Sequence, residues 1–321
     1  MKAAVLHALG ELPRFEETGE PVPGEGEELV EVTAAPVNAI DRVRADGSHY
    51  SVRAGGTRLP AVPGVIGAGL LCDGQRVLFG SRAGTMAERS VVTRAMTFRI
   101  PDAVDDAVAA ALWNPGLSAW LTLRWRTRLE PGETVLILGA TGVTGKLAVQ
   151  AARRFGAGRV VAAGRNERVL ADLRELGADA VVPLGQPDEA VAQAFTAQAG
   201  ERGYDVVVDY LWGHPTEILL DSITHHDMEV RTARTRLVQV GEMAGARISL
   251  PAEALRSGGL EILGAGTGTM PPMDVIVSTL TELLDLAGRG ELKIDIERVP
   301  LRQVAEVWSR DQQGRRPVLI P

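Results

Sequence analysis

Cysteine is almost absent from this chain of 321 residues. The single Cys72 excludes an internal disulfide and fits a reducing compartment. Lysine is scarce as well, confined to Lys2, Lys146 and Lys293, so arginine carries nearly all the positive charge. That charge is outweighed. A formal net charge of −7 argues against a surface built for nucleic acid or an anionic membrane. No basic-then-apolar leader opens the sequence, and no apolar run reaches the roughly 20 residues that cross a bilayer. Internal repeats and low-complexity tracts are missing too. These absences predict a cytoplasmic, soluble protein. What is present can build real cores: 45% of residues are hydrophobic and 23% charged, and the length suits two lobes.

The most informative segment runs from Val135 to Gln150, VLILGATGVTGKLAVQ. Thr134 to Leu138 reads as a buried strand, because all five residues are apolar or β-branched. Gly139, Gly142 and Gly145 follow at a three-residue beat, and Lys146 to Phe155 reads as a helix. A strand, a glycine turn and a helix form a place for a pyrophosphate. Glycine lets the backbone come close, and the free N–H groups at the helix start favour negative charge. The alternative is a glycine-rich turn without a ligand. A Walker loop would need glycine at position 140 and Ser or Thr after the lysine, but Ala140 and Leu147 stand there. Gly139, Ala140, Thr141, Gly142, Val143 and Thr144 are therefore candidate dinucleotide contacts.

Arg159 to Gly164 fits the second strand of such a fold. For NAD an Asp or Glu is expected at its end, accepting bonds from the ribose hydroxyls. The chain offers Gly164, Arg165 and Asn166, with Arg168 beyond. Guanidinium groups grip a 2′-phosphate with paired hydrogen bonds, so NADPH is the expected cofactor. Arg165 as a merely solvated loop residue is the bland alternative.

Short strands and turns fill the first hundred residues, with Gly and Pro clusters at Pro21–Gly26, Gly55-Gly56 and Pro60–Gly64. Asp105-Asp106 looks like a helix start, with carboxylates against the positive helix end. Strands and helices then alternate from Val135 to Leu263. That rhythm predicts an α/β fold with a Rossmann-like doubly wound parallel sheet, covered on both faces, whose ligand lies beyond the carboxyl ends of its strands. A helix over Pro272–Ala287, the segment Leu301–Arg310 and a strand over Pro317–Ile320 close the chain.

Several further segments resemble the medium-chain dehydrogenase/reductase superfamily, in its zinc-free quinone oxidoreductase branch. They are MKAAVLHALG, APVNAIDRVRADGSHY (Ala35–Tyr50), LPAVPGVIGAG (Leu59–Gly69), NPGLSAWLTL (Asn114–Leu123), VVVDYLWG (Val206–Gly213), LVQVGEMAG (Leu237–Gly245) and the ending GRRPVLIP. With the glycine turn they span nearly the whole chain in order. The resemblance implies a mainly β, GroES-like catalytic domain over 1–112 and an NADPH-binding domain over 113–257. Residues 258–321 would carry the last sheet strand and a return to the first domain. A homodimer is also implied.

Zinc is not expected. Where the family's metal enzymes keep a first cysteine this chain resembles them with Asn38, and Val65-Ile66 stand where a His-Glu pair would be. The adjacent His225 and His226 have no cysteine partners and read as surface residues. Other departures are Val43, Leu184 and Trp212, and a shortened stretch between Gly69 and Arg76.

The implied reaction moves hydride from NADPH to a quinone or an α,β-unsaturated carbonyl, whose negative charge spreads onto oxygen. By resemblance Asn38, Asp41 and Tyr50 surround the nicotinamide and substrate. Tyr50 or His49 could donate a proton, while Asn38 and Asp41 could instead simply cap a turn. Ser118 stands where the family often places a nicotinamide-facing threonine, and Gly241, Gly264 and Gly266 lie at two strand ends. The loop Gly266–Pro272 is a candidate lid. Trp113, Trp120 and Trp125 read as packing residues and Trp212 as a pocket wall. A short-chain reductase would want Tyr-x-x-x-Lys, which none of Tyr50, Tyr204 or Tyr210 begins. A non-catalytic NADPH-binding sensor or structural protein remains the other class of reading.

Overall fold

The computed structural model describes residues 1–53, 58–224 and 234–321. In chain order its first strands are β1 (Lys2–Val5), β2 (Arg14–Glu17) and β3 (Glu27–Pro36). Helices α1 (Ala39–Ala45) and α2 (Tyr50–Arg53) come next, then β4 (Ile66–Leu71), β5 (Arg76–Gly80), β6 (Arg89–Thr93) and β7 (Thr97–Arg99). Helix α3 (Asp106–Leu121) leads to β8 (Thr134–Leu138), α4 (Val143–Arg154), β9 (Arg159–Gly164), α5 (Glu167–Asp172) and β10 (Ala180–Pro183). Next come α6 (Asp188–Ala199), β11 (Val206–Asp209), α7 (His214–Ile223), β12 (Thr235–Gln239), α8 (Ala252–Ser257) and β13 (Leu260–Gly264). The chain closes with α9 (Met273–Gly288), β14 (Ile296–Pro300), α10 (Val304–Ser309) and β15 (Arg316–Ile320).

Two compact units result. Met1–Asn114 with Leu280–Pro321 form the first, and Pro115–Thr279 the second. The boundary falls inside α3 at Pro115, which lacks the N–H that a helix interior uses. The C-terminal stretch from Leu280 thus belongs with the N-terminal unit, and β13 with the second.

In the first unit a largely antiparallel sheet runs β14-β15-β3-β4-β5-β7, with β6 on β3 and only β14–β15 parallel. Its core combines Val30, Val32 and Phe79 with Val304, Trp308 and Leu319 from the chain end. Asp105 caps α3 as its sequence suggests: Oδ1 accepts the N–H groups of Ala107 at 3.0 Å and Val108 at 3.2 Å. Asp106 is spent on Arg76, whose Nε and Nη2 donate to Oδ1 at 2.9 and 2.6 Å. Both aspartates are structural.

The second unit holds an all-parallel sheet in the order β10-β9-β8-β11-β12-β13. Its four inner strands are largely apolar and buried on both faces, as a helix-covered parallel sheet requires, while the edge strands β10 and β13 are only partly buried. The strand order reverses direction between β8 and β11. Asp209 pairs there with Leu138. That switch point is where an open α/β sheet leaves a crevice beyond its strand ends.

Candidate cofactor site

Five strand ends meet beyond the carboxyl edge of the parallel sheet. At the end of β8, Gly139 takes φ +83°, a left-handed conformation that glycine adopts without strain. The N–H groups of Gly139 and Ala140 both donate to the Ala163 carbonyl, at 3.0 and 2.9 Å. These two residues therefore shape the turn and have no backbone donor left for a phosphate. Gly142 is exposed and caps α4, which leaves the first N–H groups of the helix, those of Val143 and Thr144, without intrahelical partners. Gly145 brings helix and turn together: a Cβ there would stand 2.3 Å from the Gly139 carbonyl oxygen. The result is a bare backbone face at a helix N-terminus, which fits a pyrophosphate.

At the end of β9, a Cβ on Gly164 would stand 2.5 Å from Thr141 Cγ2, so Thr141 packs directly on Gly164. Arg165 and Arg168 are exposed, and among the described residues neither has a hydrogen bond or ion pair. Asn166 is engaged in the fold, since its Oδ1 accepts the Val169 N–H at 3.2 Å and caps α5.

Asp209 closes β11 and organises the next loop. Its Oδ1 accepts the N–H groups of Leu211 at 2.8 Å and Trp212 at 2.9 Å, and its Oδ2 accepts from the Thr216 hydroxyl at 2.6 Å. Burial pushes its carboxyl pKa up, while these donors pull against the shift. Trp212 takes φ +53° in this loop and packs, half-buried, on the core of the second unit. Tyr210 is buried, its hydroxyl has no hydrogen-bond partner, and burial raises its pKa. Sequence reasoning passed over Asp209 and Tyr210. An Asp ending an apolar strand seven residues before a Thr on a helix was the available signal for the first.

Gly241 follows β12, held by its N–H donating to the Asp209 carbonyl at 3.2 Å. At the end of β13, the Gly264 carbonyl accepts from Arg126 Nε at 2.8 Å. Gly266 starts a short turn closed by the Thr269 hydroxyl at 3.0 Å. Ser118 lies half-buried on α3 within this same unit.

Asn38, Asp41 and Tyr50 lie in the first unit. The structure brings the first two together, with Asn38 preceding α1 and its N–H donating to Asp41 Oδ2 at 2.8 Å. Asp41 Oδ1 accepts the Val65 N–H at 3.1 Å, and burial raises the Asp41 pKa. Both oxygens thus serve the backbone. The Asn38 amide is buried, and neither its nitrogen nor its oxygen finds a hydrogen-bond partner. Tyr50 opens α2, is 61% exposed, and stacks on His49 with ring centroids 4.1 Å apart.

The tryptophans divide. Trp120 packs edge-on against Phe155 and Trp113 against Phe98, whereas Trp125 is 44% exposed. His225, His226 and Gly55-Gly56 lie outside the described residues.

A family described as zinc-binding dehydrogenase matches residues 143–286. A probable NADPH-dependent quinone reductase of Emericella nidulans is 28% identical over 96% of each chain. The quinone oxidoreductase of Thermus thermophilus, whose structure is also known with NADPH, superimposes with a TM-score of 0.81 at 28% identity, covering 100% of both chains. That of Pseudomonas syringae gives 0.84 at 25% identity over 100% of this chain and 99% of the other. The chain belongs to the medium-chain dehydrogenase/reductase superfamily. Its likeness runs to that superfamily's quinone oxidoreductase branch, and it is an oxidoreductase of that branch.

The superfamily's zinc does not fit these residues. Asn38 supplies no thiolate, and the lone Cys72 is exposed beside Glu28. Among the described residues, no group of three His, Cys, Asp or Glu could hold a metal ion. Nor is any described helix long and apolar enough to cross a membrane.

Proposed function

We propose that this protein is a zinc-independent, NADPH-dependent oxidoreductase that passes hydride to a quinone or an α,β-unsaturated carbonyl. One observation carries the reading. The glycine turn at the sheet's switch point neighbours a strand end that offers unpaired Arg165 and Arg168 where an acidic residue would serve NAD. Relatives named for NADPH and for quinone reduction support it.

NADPH, when bound, supplies the hydride. The chain holds it in place. The N–H groups at the start of α4 take the pyrophosphate, and Arg165 and Arg168 grip the 2′-phosphate with guanidinium donors. Ser118, Gly241, Gly264 and Gly266 are assigned to the nicotinamide half. Gly264 and Gly266 have no atom within 4 Å of where a Cβ would stand, which leaves room for a close backbone approach. For the acceptor the assigned groups are the Asn38 amide and the Tyr50 phenol, which can hydrogen-bond an oxygen as charge develops on it. Asp41 orients Asn38 through its backbone N–H. The family's homodimer is part of this reading.

The test is NADPH and NADH titration, then oxidation of the bound cofactor by a panel of quinones and enones. Tighter binding of NADPH with turnover of a panel member is expected. Binding without any turnover would favour the sensor reading, and failure to bind either cofactor would refute the proposal.

A further inference from the structure

A buried phenol without a hydrogen bond is costly, and Tyr210 has one. Its place in the sheet suggests what relieves it. The pyrophosphate turn follows β8 and the 2′-phosphate arginines follow β9, so the other half of a dinucleotide crosses to the β11 side. Tyr210 is the first residue after β11. Its N–H donates to the Leu138 carbonyl at 3.2 Å, and a Cβ on Gly139 would meet its own Cβ at 3.2 Å. On the far side, a Cβ on Gly241 would stand 2.7 Å from the Tyr210 carbonyl oxygen. The residue is thus wedged between the glycine turn and the end of β12. The Ser118 hydroxyl is near enough to pull the phenol's raised pKa back down, although the phenol has no partner in full hydrogen-bonding geometry. Ser118 itself is half-buried and keeps an exposed part.

We propose that Tyr210 is a positioning residue that acts through Ser118: with cofactor bound, the phenol donates to Ser118 Oγ, and the serine proton is thereby aimed at the nicotinamide half. This rests on the strand-end site binding NADPH. Burial disfavours ionisation of the phenol, so it remains a donor across the working pH range. A serine whose oxygen is already occupied as an acceptor has its own O–H left to give, and the direction of its bond to the ligand is fixed. Two hydroxyls in series thus set the orientation of the nicotinamide nucleoside.

The experiment compares wild type with Tyr210→Phe, Ser118→Ala and the double variant. The probes are NADPH and adenosine 2′,5′-bisphosphate, which keeps the 2′-phosphate and lacks the nicotinamide half. Tyr210→Phe should weaken NADPH about three- to tenfold, the size of one hydrogen bond, and leave the bisphosphate unchanged. Its ligand-free melting temperature should stay level or rise, since an unpaired buried hydroxyl is removed. In the Ser118→Ala background the same change should cost nothing further. An unchanged NADPH affinity, an equal loss for both probes, a lowered ligand-free melting temperature, or full additivity of the two substitutions would each overturn the proposal. Wild type that binds no NADPH would end the cofactor reading itself. Wild type that binds it beside an unaffected Tyr210→Phe would end this inference alone.

Discussion

Two glycines three residues apart should respond to alanine in opposite ways. Gly142 has φ −78° and ψ 166°, extended backbone that alanine also adopts, and a Cβ there would meet only the Gly139 carbonyl oxygen at 3.4 Å. Alanine is a poorer cap than glycine, but it lowers the entropy of the unfolded chain by a comparable amount. Gly142→Ala should therefore leave the ligand-free protein almost as stable as wild type. At Gly145 a Cβ would stand 2.3 Å from the Gly139 carbonyl oxygen and 2.5 Å from Ala140 Cα, both backbone atoms of the turn. Helix and turn must separate, at a cost of about 1–3 kcal/mol. Cofactor binding reads out the difference. NADPH at a hundred times its Kd adds about 2.7 kcal/mol of stability. A tenfold weaker site keeps about 1.4 kcal/mol at that concentration. For a unit of this size the thermal shift on adding NADPH should shrink by about 3–5 °C. Melting curves with and without NADPH decide it. Gly142→Ala should lose shift only, while Gly145→Ala should lose baseline and shift together. A Gly142→Ala protein with the full wild-type shift would refute the placement of the pyrophosphate on this turn.

Arg165→Ala should weaken NADPH far more than NADH, and raising salt should narrow the wild-type preference, because the arginine is exposed; equal losses for both cofactors in fluorescence titrations would contradict the phosphate assignment. Asp209→Asn should be tolerated within about 1 kcal/mol, since the amide oxygen can keep both N–H bonds while the NH2 donates to Thr216, whereas Asp41→Asn should cost about 1–3 kcal/mol by leaving one buried N–H without an acceptor. Burial raises the folded pKa of Asp209, so its contribution is fully present below the unfolded carboxylate pKa of about 3.9 and is lost as pH climbs through the raised value; melting temperature against pH should fall less steeply in Asp209→Asn than in wild type. Tyr50→Phe should lower kcat for the quinone or enone that wild type reduces and leave stability unchanged, because the ring is mostly exposed; an unaltered kcat would remove Tyr50 from the acceptor.

The parallel strands were legible because burial on both faces forces an apolar run. Thr134–Leu138 is such a run, and it forms β8 at those very residues. Exposed strands carry no such mark: β2 (RFEE) and β14 (IERVP) are mixed in composition and were missed. Helix α1 was missed although Asn38 and Asp41 are spaced as an N-cap and its third helical residue, because the pair was read as a substrate element first. In the site, the glycine turn was plain from spacing alone. That the Gly139 and Ala140 donors are already spent depends on the Ala163 carbonyl of a neighbouring strand, which no local pattern reveals. Tyr210 lay in plain sight as a residue type, but its burial without a partner exists only in three dimensions.

On the proposed reading the two sides of the switch point work by different physics. On that reading the recognising groups beyond β9 are the exposed, unpaired guanidiniums of Arg165 and Arg168, and their discrimination between NADPH and NADH would be Coulombic, screened by salt over a Debye length of about 8 Å. On the other side they would be two hydroxyls, that of buried Tyr210 just after β11 and that of half-buried Ser118 on α3, whose bonds are short and directional and little screened by ions. Charge on the first side would draw the cofactor in and select it, but it cannot fix the rotation of a neutral ring at the far end. Direction has to come from the second side, where Tyr210 pays for its burial only if Ser118 turns to meet it.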